Sequence, residues 1–365
     1  MKFGIVELYC GDSGKKGFYN SQETGLARAM KSLGYDSVIF RPCKKIKNVE
    51  EEEIENRIKV VYVPASTIGV HSRFDWSILS EYQIEVVQLE SDNQVFAPDC
   101  IHYCEGKGIL IYNYIGTISS NSKNRVKFFF LNLGFGRNIR AYKRHKCFSK
   151  TANVKEQLSS YGISDVTVAP VGLDTSIIPV VNRSKEEIRK ELSLPTDKIV
   201  LLFVGRMEEY KRPFEAIKLI DDLRAVAHMV LIGTGTLNQR VQNEIDSRNL
   251  MSKVTRIDKI PNTEIHKYYK ACDYYVNFNK DEIFGMSILE AMFHGCTVLA
   301  RYAPGPNCII EDRISGYLVD DISEMEAIIR RKEVLSSDII KARIMDSFTW
   351  DKTAQIFDKW IKENV

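Results

Sequence analysis

Residues 198–211 read KIVLLFVGRMEEYK. Lys198–Val204 has the length and greasy character of a buried strand, and Gly205-Arg206 ends it at once. Arg212–Leu223 then turns to helical spacing. Strand, glycine loop and helix in that order form the repeating unit of an α/β sheet.

The unit recurs on both sides. Downstream, His228–Ile232, Val254–Ile257, Tyr274–Asn277 and Thr297–Ala300 read as strands. Thr236–Arg248 and Ile288–His294 read as helices, the second ended by Gly295. Upstream, Phe3–Tyr9, Ser37–Arg41, Lys59–Val63, Glu85–Leu89, Ile109–Tyr114 and Val166–Val168 read as strands. Ser21–Leu33 reads as a helix ended by Gly34, and the acidic run Glu50–Glu55 as a solvated helix start. Two serial alternations predict two Rossmann-like α/β domains with parallel sheets. The join falls in Pro179–Pro195, around the charged helix Ser184–Leu192, so the domains expected are 1–178 and 179–349.

At 365 residues the chain has room for two sizeable cores. With 44% hydrophobic and 27% charged residues it is not a disordered, collagen-like or coiled-coil chain. A net charge of +3 gives no reason to expect nucleic acid. No apolar run approaches the roughly 18 residues of a membrane span. The start, MKFGIVELYCGD, carries Glu7 within its short apolar part and does not read as a signal peptide, so a cytoplasmic location is expected. The eight cysteines include Cys100 and Cys104 with His102 between them, but no second cluster completes four ligands. Reduced thiols and no metal are expected.

Charge is uneven. Gly106–Lys155 holds eleven Lys and Arg and no Asp or Glu, in a chain otherwise net acidic. Arg137, Arg140, Lys143 and Arg144 cluster there, with Phe128, Phe129, Phe130, Phe135 and Tyr142 interleaved. Such a face attracts an anion: a pyrophosphate-bearing acceptor, an acidic membrane surface or nucleic acid. A basic surface helix with its aromatic residues in the core accounts for the pattern equally well.

Three segments carry candidate chemistry. Gly11–Asn20, GDSGKKGFYN, puts three glycines between a strand and a helix, where backbone approaches an anion closely. Asn20 with Glu23 also makes a capping box needing no ligand. In GRMEEYK, Arg206 and Lys211 bring two cations to the carboxyl end of a strand, where open α/β sheets bind ligands. In DEIFGMSILEAM, Glu282 and Glu290 stand seven residues apart around a helix start near Ser287. Glu282 falls on the loop and Glu290 in the first turn, so N–H groups from Phe284 to Ile288 would face one cavity. Two carboxylates suit two pairs of sugar hydroxyls, and Ser287 with Glu290 suits a capping box.

Together these segments resemble glycosyltransferase family 4, retaining enzymes of the two-Rossmann GT-B fold. The Glu-x7-Glu element EIFGMSILEAMFHGCTVLA is the most specific match, beside GRMEEYK and VLIGTGTL. FSKTANVKEQLSSYG with VAPVGLD, and the terminal FTWDKTAQIFDKW, match further stretches. The resemblance implies two domains facing a central cleft, the first binding acceptor and the second donor, with a C-terminal helix, 350–365, crossing back to the first. It implies transfer from a UDP- or GDP-linked sugar to a glycan or lipid-pyrophosphate acceptor, as in cell-surface polysaccharide synthesis. Arg206 and Lys211 would hold the diphosphate, Glu290 the ribose and Glu282 the donor sugar. Backbone of Phe284, Gly285, Met286 and Ser287 would line sugar and phosphates, Gly17 would approach the diphosphate, and Lys259 with Ile260 would cradle the base. Where the family often has a histidine after Ile109–Tyr114, this chain reads Tyr114-Ile115-Gly116, and Val171 replaces a usual asparagine. His102, one strand-end earlier, is the candidate sugar or acceptor contact. No Asp-x-Asp occurs, so neither bridging metal nor other cofactor is expected. A nucleotide-sugar epimerase, a glycan phosphorylase and a non-catalytic two-domain binding protein remain the other readings.

Overall fold

The structure, a computed structural model, describes residues 1–10, 22–118 and 135–365. Gly17 and its loop, and Phe128, Phe129 and Phe130 of the basic segment, lie outside the described residues. The chain divides into two compact units. The first is Met1–Asp174 with Trp350–Val365, and the second is Thr175–Thr349, so the join falls a few residues before position 178.

Unit one contains β1 (Lys2–Glu7), β2 (Asp36–Cys43), β3 (Glu50–Glu55), β4 (Ile58–Pro64), β5 (Ser66–Ile68), β6 (His71–Arg73), β7 (Val86–Glu90), β8 (Leu110–Ile115), β9 (Cys147–Ser149) and β10 (Val166–Val168). Its helices are α1 (Gln22–Ser32), α2 (Ser77–Glu81), α3 (Ala97–Lys107), α4 (135–142) and α5 (Ala152–Ser160). Among the described residues the sheet runs β10-β9-β8-β7-β1-β2-β4-β3, parallel except for β3. Strand order reverses beside β1, which pairs with β2 on one side and β7 on the other.

Glu50–Glu55 is therefore no helix start but an edge strand antiparallel to β4. Three of its five carboxylates find a cross-strand or helix partner: Glu51 takes Lys59, Glu52 takes Tyr62, and Glu55 takes Arg28 and Lys31 of α1. A row of exposed carboxylates also discourages pairing of the edge with another chain. The hairpin β5–β6 and the short strands β9 and β16 (Tyr317–Val319) carry too little periodicity to be read from sequence.

Unit two contains α6 (Lys185–Glu191), β11 (Ile199–Val204), α7 (Pro213–Asp222), β12 (Ala227–Ile232), α8 (Asn238–Ser247), β13 (Val254–Ile257), α9 (Asn262–Ala271), β14 (Tyr274–Asn277), α10 (Met286–Phe293), β15 (Thr297–Arg301), α11 (Pro304–Ile309), β16, α12 (Ile322–Arg330) and α13 (Ser337–Ser347). Its sheet is parallel throughout, in the order β13-β12-β11-β14-β15-β16. Leu201, Leu202, Met229, Leu231, Val276 and Leu299 are fully buried, as strands covered on both faces require.

The last helix, α14 (Trp350–Asn364), belongs to unit one and packs against α1. Phe357 lies 5.1 Å from the Tyr112 ring and 4.8 Å from Phe148. Phe357 and Ile361 are fully buried, each worth roughly 1.5–3 kcal/mol. Among the described residues no helix is long and apolar enough to cross a membrane.

Candidate functional site

The carboxyl ends of β11 and β14, adjacent strands, gather most of the predicted residues. After β11 the chain runs through Gly205 and Arg206 into a single 3-10 turn, Glu209–Lys211. Arg206 donates from Nε to the Tyr210 hydroxyl at 2.9 Å, and its guanidinium lies 5.5 Å from the Tyr210 ring. The Lys211 ammonium lies 5.5 Å from the same ring, so one tyrosine holds both cations. The loop is also fastened from below. Glu208 accepts from the N–H of Thr236 at 2.9 Å and from its hydroxyl at 2.7 Å. A Cβ on Gly233 would lie 2.0 Å from the Gly205 carbonyl oxygen, so the turn in VLIGTGTL has to be glycine.

Lys211 Nζ donates to Glu282 Oε2 at 2.6 Å. Asn279 Nδ2 reaches the same oxygen at 3.2 Å and Asn277 Nδ2 at 3.4 Å. Both partners are mostly buried, with side-chain exposures of 19% and 13%. A carboxylate held by three donors is fixed in direction, and the ammonium it pairs with is aimed rather than loose.

Beyond Glu282 the chain passes Phe284 and enters α10 through Gly285, at φ +108. Among the described residues no side chain caps this helix, its N-cap being glycine, and the first-turn N–H groups of Met286 and Ser287 have no intrahelical acceptor. An anion is the natural partner of such a terminus. Ile288 N–H is already taken by the Gly285 carbonyl at 2.9 Å, which narrows the predicted set of free N–H groups.

The expected capping box between Ser287 and Glu290 does not form, because Gly285 is the N-cap and Glu290 lies in the second turn, not the first. The Tyr275 hydroxyl donates to Ser287 Oγ at 2.6 Å instead. Glu290, 5% exposed, accepts from the Tyr269 hydroxyl at 2.7 Å. Tyr269 stacks on His294 with ring centroids 6.1 Å apart, and His294 Nε2 meets His266 Nδ1 at 3.0 Å. Burial keeps both imidazoles neutral, His266 at about 4 and His294 at about 3.

Lys259 and Ile260 follow β13, the strand beyond β12 on the same edge, with Lys259 exposed and Ile260 half-buried. Asn277, Asn279, Tyr269, Tyr275 and Gly305 escaped the sequence reading. The pattern Asn-Phe-Asn at the end of a predicted strand, just before Glu282, was the available signal. Gly305 belongs here because its Cβ would lie 2.0 Å from the Phe284 carbonyl oxygen, and its N–H donates to the Glu282 carbonyl at 2.8 Å.

In unit one the carboxyl edge holds a different arrangement. Glu7, Glu90 and Tyr114 fall in one register row across β1, β7 and β8, and Arg41 of β2 joins it through Glu7. Arg41 Nη2 sits 2.7 Å from Glu7 and Lys150 Nζ 3.0 Å from Glu90. Burial, reinforced by Glu23, pushes the Glu7 carboxyl up to about 8 against the pull of Arg41. Burial likewise pushes Glu90 up to about 7 against Lys150. His102 is not part of this edge. It sits midway along α3, 89% exposed, 3.6 Å from Glu105. Arg137, Arg140, Lys143 and Arg144 are exposed on and just after α4, with Arg137 paired to Asp99, while Phe135 and Tyr142 pack into the core. All eight cysteines are free.

The fold and this edge define a class. Residues 184–347, which include Arg206, Lys211, Glu282 and Glu290, match the family described as Glycosyl transferases group 1, and the chain has the GT-B fold. Among curated relatives, D-inositol 3-phosphate glycosyltransferase of Streptosporangium roseum is 29% identical over 178 residues, 46% of this chain and 41% of the relative. That of Geodermatophilus obscurus is 28% identical over 226 residues, 56% of this chain and 49% of the relative. The chain thus spans about half the length of the curated relatives it matches. Sucrose-phosphate synthase of Thermosynechococcus elongatus superposes with TM-score 0.81 at 15% identity, covering 99% of this chain and 98% of that one. Anabaena HepE in complex with UDP-glucose superposes with TM-score 0.73 at 15% identity, covering 100% of both.

Proposed function

We propose that the chain is a retaining glycosyltransferase that moves a sugar from a UDP- or GDP-linked donor to a glycan or lipid-linked acceptor, in the synthesis of a cell-surface polysaccharide or glycoconjugate. The observation that carries the reading is the Lys211–Glu282 pair, 2.6 Å long, beside the uncapped start of α10. A fixed cation next to free N–H groups is what a leaving diphosphate needs. The similarity to a HepE structure with UDP-glucose supports a UDP-linked donor.

In this reading Arg206, Lys211 and the N–H groups of Gly285, Met286 and Ser287 take the diphosphate. Glu290 accepts from the ribose hydroxyls, with Tyr269 holding its other oxygen. Glu282 accepts from the donor sugar while aiming Lys211, and Lys259 and Ile260 flank the base. The bond from the anomeric carbon to the diphosphate oxygen breaks. The acceptor oxygen bonds to the same face, and its proton passes to the departing diphosphate. No metal or other cofactor enters the scheme, so a chelator leaves turnover unchanged. Unit one binds the acceptor, and the exposed Arg140, Lys143 and Arg144 draw the cytoplasmic protein to an anionic leaflet. Each such charge is worth on the order of 1 kcal/mol there.

Incubation with UDP- and GDP-sugars tests the reading. Slow donor hydrolysis, releasing nucleoside diphosphate, is the expected result. Thermal stabilisation by donor without hydrolysis would mean a binding protein, and neither response to any donor would overturn the proposal.

A further inference from the structure

The hairpin β5–β6 rises from the carboxyl end of β4 and leans over the edge of unit one. Ser72 donates from both N–H, at 2.9 Å, and hydroxyl, at 2.7 Å, to the carbonyl of Leu8, just past β1. His71 bridges to Tyr9, and its Nδ1 lies 3.0 Å from Gln94, just past β7. The hairpin is therefore tied to both strands where the strand order reverses, the place where open α/β sheets bind their ligands.

Against this hairpin lies an open cavity of about 480 Å³, lined by Pro64, Ser66, Arg73, Phe74, Asp75 and Trp76. Its size falls within the ~300–1,000 Å³ of small-molecule sites. The floor is aromatic: Phe74 and Trp76 are 6% and 7% exposed, with ring centroids 4.5 Å apart. At the rim, Arg73 and Asp75 are both exposed. Among the described residues Arg73 has no ion pair, and Asp75 accepts from the Ser77 N–H at 3.0 Å, keeping acceptor capacity to spare. Among the described residues the Trp76 Nε1 atom is buried and has no hydrogen-bond partner.

We infer that this cavity binds a pyranose ring of the acceptor. A sugar ring offers apolar C–H faces for aromatic walls and a fringe of hydroxyls that both donate and accept. Asp75 accepts from hydroxyls and Arg73 donates to them. Opposite charges side by side at the rim disfavour a strongly anionic occupant such as a phosphate, which Asp75 would repel. The assignment of the ring to the acceptor rests on the transferase reading above. The carbohydrate chemistry of the cavity does not.

The test uses the full chain and the methyl pyranosides of glucose, galactose, mannose and N-acetylglucosamine as probes. Saturation-transfer NMR reports binding. A ¹H–¹⁵N spectrum follows the three indole N–H signals of Trp76, Trp350 and Trp360, with Trp76→Phe assigning the first. At least one pyranoside is expected to bind and to move the Trp76 signal alone. The surface variant Arg73→Gln/Asp75→Asn is expected to weaken that binding by roughly tenfold or more, since it loses charge-assisted hydrogen bonds. Donor hydrolysis by the same variant stays at the wild-type rate. The inference is overturned if no pyranoside binds, if the Trp76 signal stays in place, or if the variant binds as well as wild type. Absence of donor hydrolysis in wild type, with pyranoside binding intact, would instead remove the transferase reading and leave a carbohydrate site.

Discussion

Lys211 and Glu282, 71 residues apart in the chain, meet at 2.6 Å because adjacent strands β11 and β14 deliver their loops to one point. The pair joins two motifs, Gly-Arg…Lys and Glu-x7-Glu, that the sequence presents separately. Lys211→Ala is expected to lower kcat by roughly 100-fold or more, as loss of a charge stabiliser at a leaving group does. Glu282→Gln is expected to lower it too, by leaving the ammonium less well aimed. Because the two act as a unit, the double variant loses far less than the product of the single losses. Steady-state kinetics on the three variants checks this, and multiplicative losses would separate their roles.

Glu290 is tied to Tyr269 rather than to Ser287. Ser287→Ala is therefore expected to leave helix stability within about 0.5 kcal/mol of any loss traced to the Tyr275 hydrogen bond, with no capping penalty. Glu290→Gln weakens nucleotide diphosphate binding in a folded protein, and Tyr269→Phe weakens it less. Calorimetric titration with UDP and GDP reads all three. Unchanged affinity in Glu290→Gln would remove the ribose role.

Gly305 is the only residue type that fits against Phe284. Gly305→Ala places a Cβ 2.0 Å from the Phe284 carbonyl oxygen, so the loop before α10 has to shift. Overpacking of this kind costs roughly 1–3 kcal/mol, and donor affinity falls with it. Gly106→Ala in α3 meets nothing within 4 Å and serves as the control. It is expected to leave donor affinity alone and to stabilise by roughly 0.5–1 kcal/mol. Denaturant melts with and without donor distinguish the two.

The two units respond oppositely to pH. Glu7 and Glu90, ordinarily near 4.5, are pushed up to about 8 and about 7 by burial. The folded state then holds more protons than the unfolded chain between those values, and stability from these groups is lost as pH rises through 7 to 8. His266 and His294, ordinarily near 6.5, are held to about 4 and about 3. There the folded state holds fewer protons, and stability is lost as pH falls below 6.5. Glu90→Gln is expected to flatten the upper limb of a Tm–pH profile and His266→Asn the lower limb. Unchanged limbs would show that neither group titrates as described.

Local patterning was enough to read the α/β alternation, since strands buried on both faces must be apolar runs and the helices between them amphipathic. It was enough, too, for the loops of Arg206 and Lys211 and of Glu282 to Glu290, because those residues sit at fixed offsets from strand ends. Glu50–Glu55 defeated it: a run of carboxylates has no intrinsic preference for strand, and only Lys59, Tyr62 and Arg28, brought close by the sheet and α1, make the edge strand. Ser287 and Glu290 fit a capping box by spacing alone, yet Tyr275 and Tyr269, from a neighbouring strand and helix, took their hydrogen bonds. The Lys211–Glu282 contact, the Arg41–Glu7 pair beside Glu90, and the cavity beside Trp76 are likewise meetings of distant segments. Periodicity and spacing report what a residue does to its own backbone. Which partner satisfies a buried polar group depends on packing between elements, and that is settled only when the chain has folded.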